Sequence, residues 1–276
     1  MFRGIFALLL GGWWCYGCVA RTGRLIFLAR RVLHISDCHL VVRGETLLQI
    51  DTEATLRAVL HQAAGDAVRN GCDAIIASGD VAHTPTVPVY ERFLRIVSDY
   101  FDVPVLSLPG NHDVLHVMQE ASMPMDAIVW PDWHLQALDS HEDDKPKSLI
   151  TDIDRHSVAQ GLQQGAAHSV LLATHHPLVE VDCPWLDKDR IAEPLELMNW
   201  LNGVSKQRIR GVVFGHAHQV VEGRVGGWPV FGAPSTGFQF QPRSAKFAVD
   251  DQGPGYQWLD LADDKTIKRT VRRVEG

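Results

Sequence analysis

The chain has 276 residues, of which 46% are hydrophobic and 21% charged, so it is long and apolar enough to fold around a full core. Its formal net charge of −7 at pH 7 argues against a protein that wraps nucleic acid, because phosphate backbones are held by clustered Lys and Arg. Five cysteines in a chain of this length predict no disulfide framework, which is typical of a reducing compartment, and we expect a cytoplasmic protein.

The first 30 residues differ in composition from the rest of the chain. One basic residue, Arg3, precedes an apolar stretch that ends at Ala20, the pattern of a signal peptide or a short membrane anchor. A third interpretation, which we favour, is a non-native leader added by an upstream start codon. We therefore divide the chain into an apolar extension at 1–30, which leaves membrane association open, and one domain at 31–276.

Strands and helices alternate from Arg31 onward. Apolar runs that predict buried strands are separated by segments with helical spacing, and Gly71 marks the end of the first helix. This order predicts a parallel sheet that is covered on both faces. The predicted strands span 31–36, 72–78 and 103–108, and the predicted helices span 51–70 and 88–101.

The second half of the chain contains further predicted strands at 169–174 and 210–215 and a helix near 193–202. From Val220 to Val271, glycine and proline separate five short apolar segments. We predict that these segments form a second sheet with mixed or antiparallel pairing. They span 220–225, 228–232, 246–250, 255–261 and 267–274.

Polar side chains follow five of the predicted strands, at the point where each strand ends. Because ligands of α/β proteins bind outside the carboxyl ends of the strands, we expect these side chains to meet in one crevice. They are Asp37 and His39, then Asp80, then Asn111 and His112, then His175 and His176, and finally His216 and His218.

The residue types in this set indicate a metal site. Imidazoles, carboxylates and one carboxamide without thiolates suit borderline divalent metals such as manganese, iron or zinc. Two adjacent metals need a bridging carboxylate, and Asp80 follows a central strand. Glycines precede Asp80, Asn111 and His216, and we expect them to permit tight backbone turns.

Five motifs in order resemble those of the calcineurin-like metallophosphoesterases. They are DCHL (37–40), GDVAH (79–83), GNHD (110–113), THHP (174–177) and GHAH (215–218). The resemblance covers essentially Arg31 to the end, and it implies an α/β fold: a four-layer αββα sandwich of two packed mixed β-sheets flanked by helices. Segments 47–60, 183–187, 234–240 and 253–261 are similar to the bacterial class III 3′,5′-cyclic-AMP phosphodiesterases.

The resemblance also implies a role for each motif residue. One metal would be held by Asp37, His39 and His218, the other by Asn111, His175 and His216, with Asp80 as the bridge. His112 would contact the phosphate and protonate the leaving oxygen, with Asp113 positioning its ring, and Asn111 and His39 would also contact the substrate. His175 is preferred to His176 because the ligand of the family stands two places before the proline, but the choice stays open.

The implied reaction is hydrolysis of 3′,5′-cyclic AMP to 5′-AMP by attack of a metal-bound hydroxide. The implied cofactors are two divalent metal ions, Fe²⁺ or Mn²⁺, with Zn²⁺ as an alternative. We expect a small-molecule substrate, no nucleic-acid partner, and a monomer or homodimer. The alternatives are a metallophosphoesterase for another small nucleotide or glycerophosphodiester, and a non-catalytic scaffold of the same fold.

A few residues depart from the pattern or leave two interpretations. Gln49 stands where similar proteins carry glycine, which would alter a loop that borders the substrate. His83 is interpreted as a solvated loop residue rather than a further phosphate contact. Trp185 and Phe238 would either stack on an adenine or pack in the core, whereas His34 is expected to be structural.

Overall fold

The computed structural model describes residues 30–164, 169–205 and 208–274. Almost all of the predicted N-terminal extension, with Cys15 and Cys18, lies outside the described residues. The described strands are β1 (Arg30–Ile35), β2 (Ala74–Ala77), β3 (Val105–Ser107), β4 (Ile128–Val129), β5 (Trp133–Ala137), β6 (Ser169–Ala173), β7 (Arg208–Phe214), β8 (Val221–Val225), β9 (Trp228–Gly232), β10 (Gly255–Leu261) and β11 (Ile267–Arg273). The described helices are α1 (Thr52–Asn70), α2 (Val87–Ser98), α3 (Leu115–Glu120), α4 (Asp152–Gln164), α5 (Pro184–Asp187) and α6 (Pro194–Val204).

The strands form two mixed sheets. The first sheet has the order β11-β10-β1-β2-β3, and the second has the order β4-β5-β6-β7-β9-β8. Strands β1, β2 and β3 are parallel neighbours, which confirms the βαβαβ order predicted from the sequence. In the second sheet the pairs β5–β6, β6–β7 and β7–β9 are parallel. The pairs β1–β10 and β10–β11 in the first sheet, and β4–β5 and β8–β9 in the second, are antiparallel.

Three apolar clusters hold the layers together. The middle cluster joins the facing sides of the two sheets, with Ile76 from β2 and Leu171 from β6 among its members. One outer cluster packs α1, α2 and α3 against the first sheet, and the other packs α4, α5 and α6 against the second. Because β2 and β6 are buried on both faces, they read as continuous apolar runs. The predicted αββα sandwich is therefore confirmed.

Helix α1 shows how local sequence sets an element boundary. The Asp51 carboxylate accepts hydrogen bonds from the backbone N–H groups of Glu53 and Ala54, at 3.1 and 3.0 Å. These bonds satisfy donors that have no partner within the helix. Gly71 follows the helix with φ of 76°, a conformation that favours glycine. This confirms the prediction that the first long helix ends at Gly71.

The C-terminal strands do not form a separate second sheet, so that prediction was wrong. Strands β8 and β9 extend the second sheet, whereas β10 crosses back to pair with β1 and carries β11 to the edge of the first sheet. The predicted strand at 246–250 is also absent from the described structure. That segment makes one isolated bridge, between Phe240 and Val249, because the chain turns at Pro242 and Arg243.

Elements α3, β4, β5 and α4 have no counterpart among the predictions. Strand β4 has two residues, and α4 carries few apolar residues and exposes Ile153, so its helical period is weak. Within the described ranges, no helix is both long and apolar enough to cross a membrane. The three described cysteines, Cys38, Cys72 and Cys183, are free thiols.

Candidate active site

The predicted site residues meet at the carboxyl ends of strands from both sheets. Loops after β1, β2 and β3 carry Asp37, His39, Asp80, Asn111 and His112, and loops after β6 and β7 carry His175, His216 and His218. In the first of two donor groups, Asp37, His39, Asp80 and His218 each offer a ligand atom within 4.8 Å of the others. The contact between the two sheets therefore assembles the site.

Two carboxylate oxygens and two imidazole nitrogens converge in the first donor group. His39 Nε2 lies 3.5 Å from Asp80 Oδ2, and His218 Nε2 lies 3.4 Å from Asp37 Oδ1. The two Nε2 atoms are 3.0 Å apart. All four side chains are buried, so their donor atoms face one another rather than solvent.

The second donor group consists of Asn111, His175 and His216. The Asn111 Oδ1 atom lies 3.1 Å from His175 Nε2 and 2.9 Å from His216 Nδ1. His175 Nε2 also lies 3.5 Å from Asp80 Oδ1. The two oxygens of Asp80 thus face different donor groups, Oδ2 toward His39 and Oδ1 toward His175, which is the geometry that a bridging carboxylate requires.

Backbone carbonyls determine which nitrogen two of these histidines present. His175 Nδ1 donates to the Ser78 carbonyl at 2.9 Å, and His218 Nδ1 donates to the Phe238 carbonyl at 2.7 Å. In a neutral imidazole the other nitrogen then carries a lone pair, so Nε2 of each ring is an acceptor. His175 Nε2 therefore faces the Asn111 oxygen as acceptor to acceptor, an arrangement that a cation between them would stabilise.

The protonation of the site also suits a metal. Burial, together with neighbouring imidazoles, holds the pKa of His39 and of His216 well below the usual value, so both rings are neutral as metal ligands must be. Burial alone would raise the pKa of Asp37, but His218 and hydrogen bonds outweigh it and the net shift is downward. The Nε2 atom of His216 is buried without a hydrogen-bond partner in the described structure. The residues present thus fit divalent cations bound through oxygen and nitrogen.

His176 lies beside the second donor group but has other partners. Its Nδ1 atom is 3.0 Å from Ser140 Oγ, and its Nε2 donates to the Pro146 carbonyl at 3.1 Å. Both ring nitrogens are therefore engaged. His175 Nε2, by contrast, faces the oxygens of Asn111 and Asp80, which are themselves proposed ligands. His176 also offers a ligand atom within 4.8 Å of those of His175 and His216, so the choice of His175 stays a prediction.

The structure places His112 and Asp113 in different environments. The His112 side chain is exposed, with its ring 4.9 Å from that of His39. The Asp113 carboxylate is buried and accepts hydrogen bonds from Val81 N, Ala82 N, Gly110 N and Tyr90 Oη. Within the described residues no hydrogen bond joins Asp113 to the His112 ring, so the positioning role of Asp113 stays a prediction. Asp113 ties the loop after β2 to the loop after β3.

Strained backbone conformations, and glycines that have no side chain, allow the proposed ligands to lie close together. Five of the proposed ligands, Asp37, His39, Asp80, His216 and His218, have φ between 45° and 63°. Gly79, with φ of 95°, meets the prediction of a tight turn. A Cβ atom on Gly110 would instead lie 2.2 Å from Asp80 Oδ1, and one on Gly215 would lie 2.0 Å from Ser36 Oγ. At these two positions glycine is needed for space rather than for φ.

Several residues around the site were interpreted differently or missed. Phe238 is only 6% exposed and its ring stacks 5.5 Å from that of His39, so it packs against the site and offers no open face to a base. Cys38 packs in the apolar cluster on the helix side of the first sheet, away from the ligands. His83 is half-buried beside His112, with ring centroids 5.0 Å apart, rather than solvated.

A buried polar chain leads to Asp37 from the space between the sheets. Gln257 Nε2 lies 2.7 Å from His34 Nδ1, His34 Nε2 lies 2.7 Å from Ser78 Oγ, and Ser78 donates to Ser36 Oγ at 2.7 Å. Ser36 in turn lowers the pKa of Asp37 through a side-chain hydrogen bond. His34 is structural, as predicted, but its partners could not be read from local sequence because Ser78 directly follows β2 and Gln257 lies on β10.

Comparison with known proteins identifies the family. A family profile described as calcineurin-like phosphoesterase matches residues 30–220, more than half of the chain. The chain belongs to the calcineurin-like phosphoesterase family. As a member of that family it is a metal-dependent phosphoesterase, in agreement with the oxygen and nitrogen donors described above. Its cofactors are divalent metal ions.

Comparison with individual proteins agrees with this assignment. The chain is 29% identical over 249 residues to the 3′,5′-cyclic adenosine monophosphate phosphodiesterase CpdA of Pseudomonas aeruginosa, covering 88% of this chain and 90% of that protein. It is 29% identical over 255 residues to the protein of the same name from Escherichia coli, covering 88% and 90%. A solved structure of GAP50 of Plasmodium shares the fold, with a TM-score of 0.62, 8% identity, and coverage of 90% of this chain and 85% of that one.

Proposed function

We propose that the protein hydrolyses 3′,5′-cyclic AMP to 5′-AMP with two divalent metal ions. The observation that carries the metal count is the position of Asp80, whose two oxygens face two separate donor groups at 3.5 Å each. The substrate is proposed because the two relatives described above, similar over most of their length, are named for that activity.

The donor set supports borderline divalent metals, of which we propose Fe²⁺ or Mn²⁺ with Zn²⁺ as the alternative. Both groups offer imidazole nitrogens with carboxylate or carboxamide oxygens, a combination that suits Fe²⁺, Mn²⁺ and Zn²⁺. Asp37, His39 and His218 would hold one ion, Asn111, His175 and His216 the other, and Asp80 would bridge them. When bound, the ions would supply positive charge at the phosphoryl oxygens and lower the pKa of a coordinated water.

The side chains of the chain itself divide the remaining work. His112 is exposed above the first donor group, where it can reach the departing 3′ oxygen and donate a proton to it. Proton donation of this kind contributes about 10²- to 10⁴-fold to rate. The His112 backbone N–H donates to Asp80 Oδ1 at 2.9 Å, which links the position of the acid to the bridging carboxylate. Asp113 maintains this loop through its four hydrogen bonds rather than through the ring.

A substrate panel on metal-loaded protein tests the proposed activity. Cyclic AMP, cyclic GMP, 2′,3′-cyclic AMP, glycerophosphodiesters and bis(p-nitrophenyl) phosphate would be compared, with products separated by chromatography. We expect cyclic AMP to give 5′-AMP, because the proposed reaction breaks the 3′ ester bond. Release of 3′-AMP, or turnover of glycerophosphodiesters alone, would contradict the substrate assignment, and a scaffold would neither bind metal nor hydrolyse any of these compounds.

The ligand assignment is tested by a pair of adjacent variants. His175→Ala should lower the bound metal to about one ion per chain and abolish turnover, because the second ion loses a ligand. His176→Ala removes a side chain of the same type whose two nitrogens have other partners, so it should retain both ions. Metal content measured by plasma mass spectrometry distinguishes them. Loss of metal in the His176 variant alone would reverse the assignment.

A further inference from the structure

His83 lies beside the proposed active site and has no role in the proposed reaction. It lies in the loop after β2, and its backbone N–H donates to the Leu40 carbonyl at 2.9 Å. Neighbouring bonds from His39 N to Asp80 O and from Leu40 N to Val81 O continue the pairing of β1 and β2 beyond the strands. This pairing holds the His83 ring 5.8 Å from the His39 ring. Backbone structure, rather than chance loop placement, thus sets its position.

Three imidazoles surround one small space at the edge of the first donor group. His39, His83 and His112 each offer a ring nitrogen within 4.8 Å of the others. His39 already directs Nε2 toward Asp80 and His218, so His83 and His112 line the outer side of this space. That side is the exposed one, because His112 is exposed and His83 is half-buried.

The His83 ring has an unsatisfied buried nitrogen. Its Nδ1 atom is buried and has no hydrogen-bond partner in the described part of the chain. Buried polar atoms in native proteins almost always have a partner, and exceptions are explained by a missing ligand, ion or water. An imidazole ring carries at least one N–H, which can donate a hydrogen bond to an anionic oxygen.

We propose that His83 is a second imidazole that contacts the substrate, donating a hydrogen bond to a phosphoryl oxygen beside His112. Two N–H···O bonds of about 2.9 Å that meet at one oxygen place their nitrogens at most about 5.8 Å apart. One ring nitrogen of His83 lies within 4.8 Å of one ring nitrogen of His112, which satisfies this limit. The inference deepens the proposed phosphodiesterase activity and rests on it.

Binding of inorganic phosphate to manganese-loaded protein tests this role without turnover. A hydrogen bond to a charged oxygen contributes enough free energy that His83→Ala should weaken phosphate binding by about 10- to 100-fold. Titration calorimetry gives the dissociation constant, and plasma mass spectrometry gives the metal content, which should stay unchanged. His83→Asn, which retains an N–H donor near the position of Nδ1, should recover part of the affinity and shows that the site still folds.

A matched control variant and the kinetics complete the experiment. His156→Ala removes an exposed histidine on α4 and should leave phosphate affinity, metal content and turnover as in the unmodified protein. Equal phosphate affinity in the His83 and His156 variants would overturn the proposal. Loss of metal in the His83 variant would also overturn it, by making His83 a metal ligand. Should the unmodified protein fail to cleave cyclic AMP, the substrate assignment fails, while the phosphate comparison still reports on His83.

Discussion

Backbone strain is concentrated at the proposed ligands. A residue other than glycine at positive φ costs of order 1 to 3 kcal/mol, and Asp37, His39, Asp80, His216 and His218 all adopt this conformation. Such strain persists only where surrounding contacts hold it in place. Here the loop bonds supply those contacts, for example the Asp37 carboxylate that accepts from His216 N at 3.0 Å. The site is therefore largely organised before a metal arrives.

Gly110 offers a direct test of this organisation. Gly110→Ala would place a Cβ atom 2.2 Å from Asp80 Oδ1 and 2.3 Å from Asp80 N, so the bridging carboxylate would have to move. A displacement of about 1 Å at a catalytic group costs about 100-fold in rate, and we expect a loss of that size together with weaker metal binding. Manganese titration and turnover of bis(p-nitrophenyl) phosphate measure the two effects.

Gly65 provides the matched control for this substitution. It lies exposed within α1, and a Cβ atom there would have no neighbour within 4 Å. Gly65→Ala should leave activity unchanged and stabilise the helix by about 0.5 to 1 kcal/mol. Normal metal binding in the Gly110 variant would show that the Asp80 carboxylate is not held in the position described here.

The loop between β1 and α1 contains a tight turn whose residues do not suit it. Leu47 and Ile50 pair through two backbone hydrogen bonds, of 3.0 and 2.8 Å, around Leu48 and Gln49. These two residues have φ of 51° and 66°, the conformation of a two-residue hairpin turn that favours glycine at its second position. Similar proteins are expected to carry glycine at position 49. The positive φ of Gln49 gives the physical reason why glycine suits this position.

Gln49→Gly should therefore stabilise the protein. Relief of the left-handed conformation gains about 1 to 2 kcal/mol, and the greater freedom of glycine in the unfolded chain offsets about 0.5 to 1 kcal/mol, for a net gain of about 1 kcal/mol. Urea denaturation measures the free energy of unfolding. Gln49→Ala removes the same exposed side chain but keeps the Cβ atom, so it should show no gain. Equal stability of the two variants would contradict the strain argument.

Across the whole molecule, buried neutral histidines couple stability to pH. Burial lowers the pKa of His34 to about 3, and burial with His175 holds that of His176 well below the usual value. Both rings take up a proton near pH 6.5 when the chain unfolds but stay neutral in the folded protein. The unfolded state thus binds more protons below pH 6.5. Stability is fully present above that pH and falls as the pH drops toward 3.

We expect acidification from pH 7 to pH 5 to remove about 2 kcal/mol of stability through His34 alone. His34→Gln eliminates this proton uptake, so its free energy of unfolding should fall by about 2 kcal/mol less over the same interval. The relevant measurement is the pH dependence of urea unfolding, since the substitution also changes stability at pH 7 by disturbing Ser78 and Gln257. Parallel pH profiles would show that His34 is protonated in the folded protein.

The sequence alone determined the helices and strands in which apolar residues recur with a regular period. It also determined the positions of the proposed metal ligands that follow the strands. Apolar runs such as β2 predicted strands covered on both faces, and Asp80 and Asn111 were placed at strand ends by adjacent residues. Burial within a strand depends on a few neighbouring side chains, so it leaves a readable period. The motif order then indicated the family and the proposed ligands without knowledge of any contact.

Only the tertiary structure decided which distant groups become partners. Strands β8 and β10 were both predicted to belong to the second sheet, yet they join different sheets, because strand pairing depends on long-range packing. Asp113 and His112 are adjacent in sequence, but the carboxylate meets donors from two other segments instead of the ring. The sequence predicted that His83 is a solvated loop residue. In the structure, the backbone pairing that continues beyond β1 and β2 places its ring beside those of His39 and His112. Hydrogen bonds act over about 3 Å in space, and sequence separation does not report that distance.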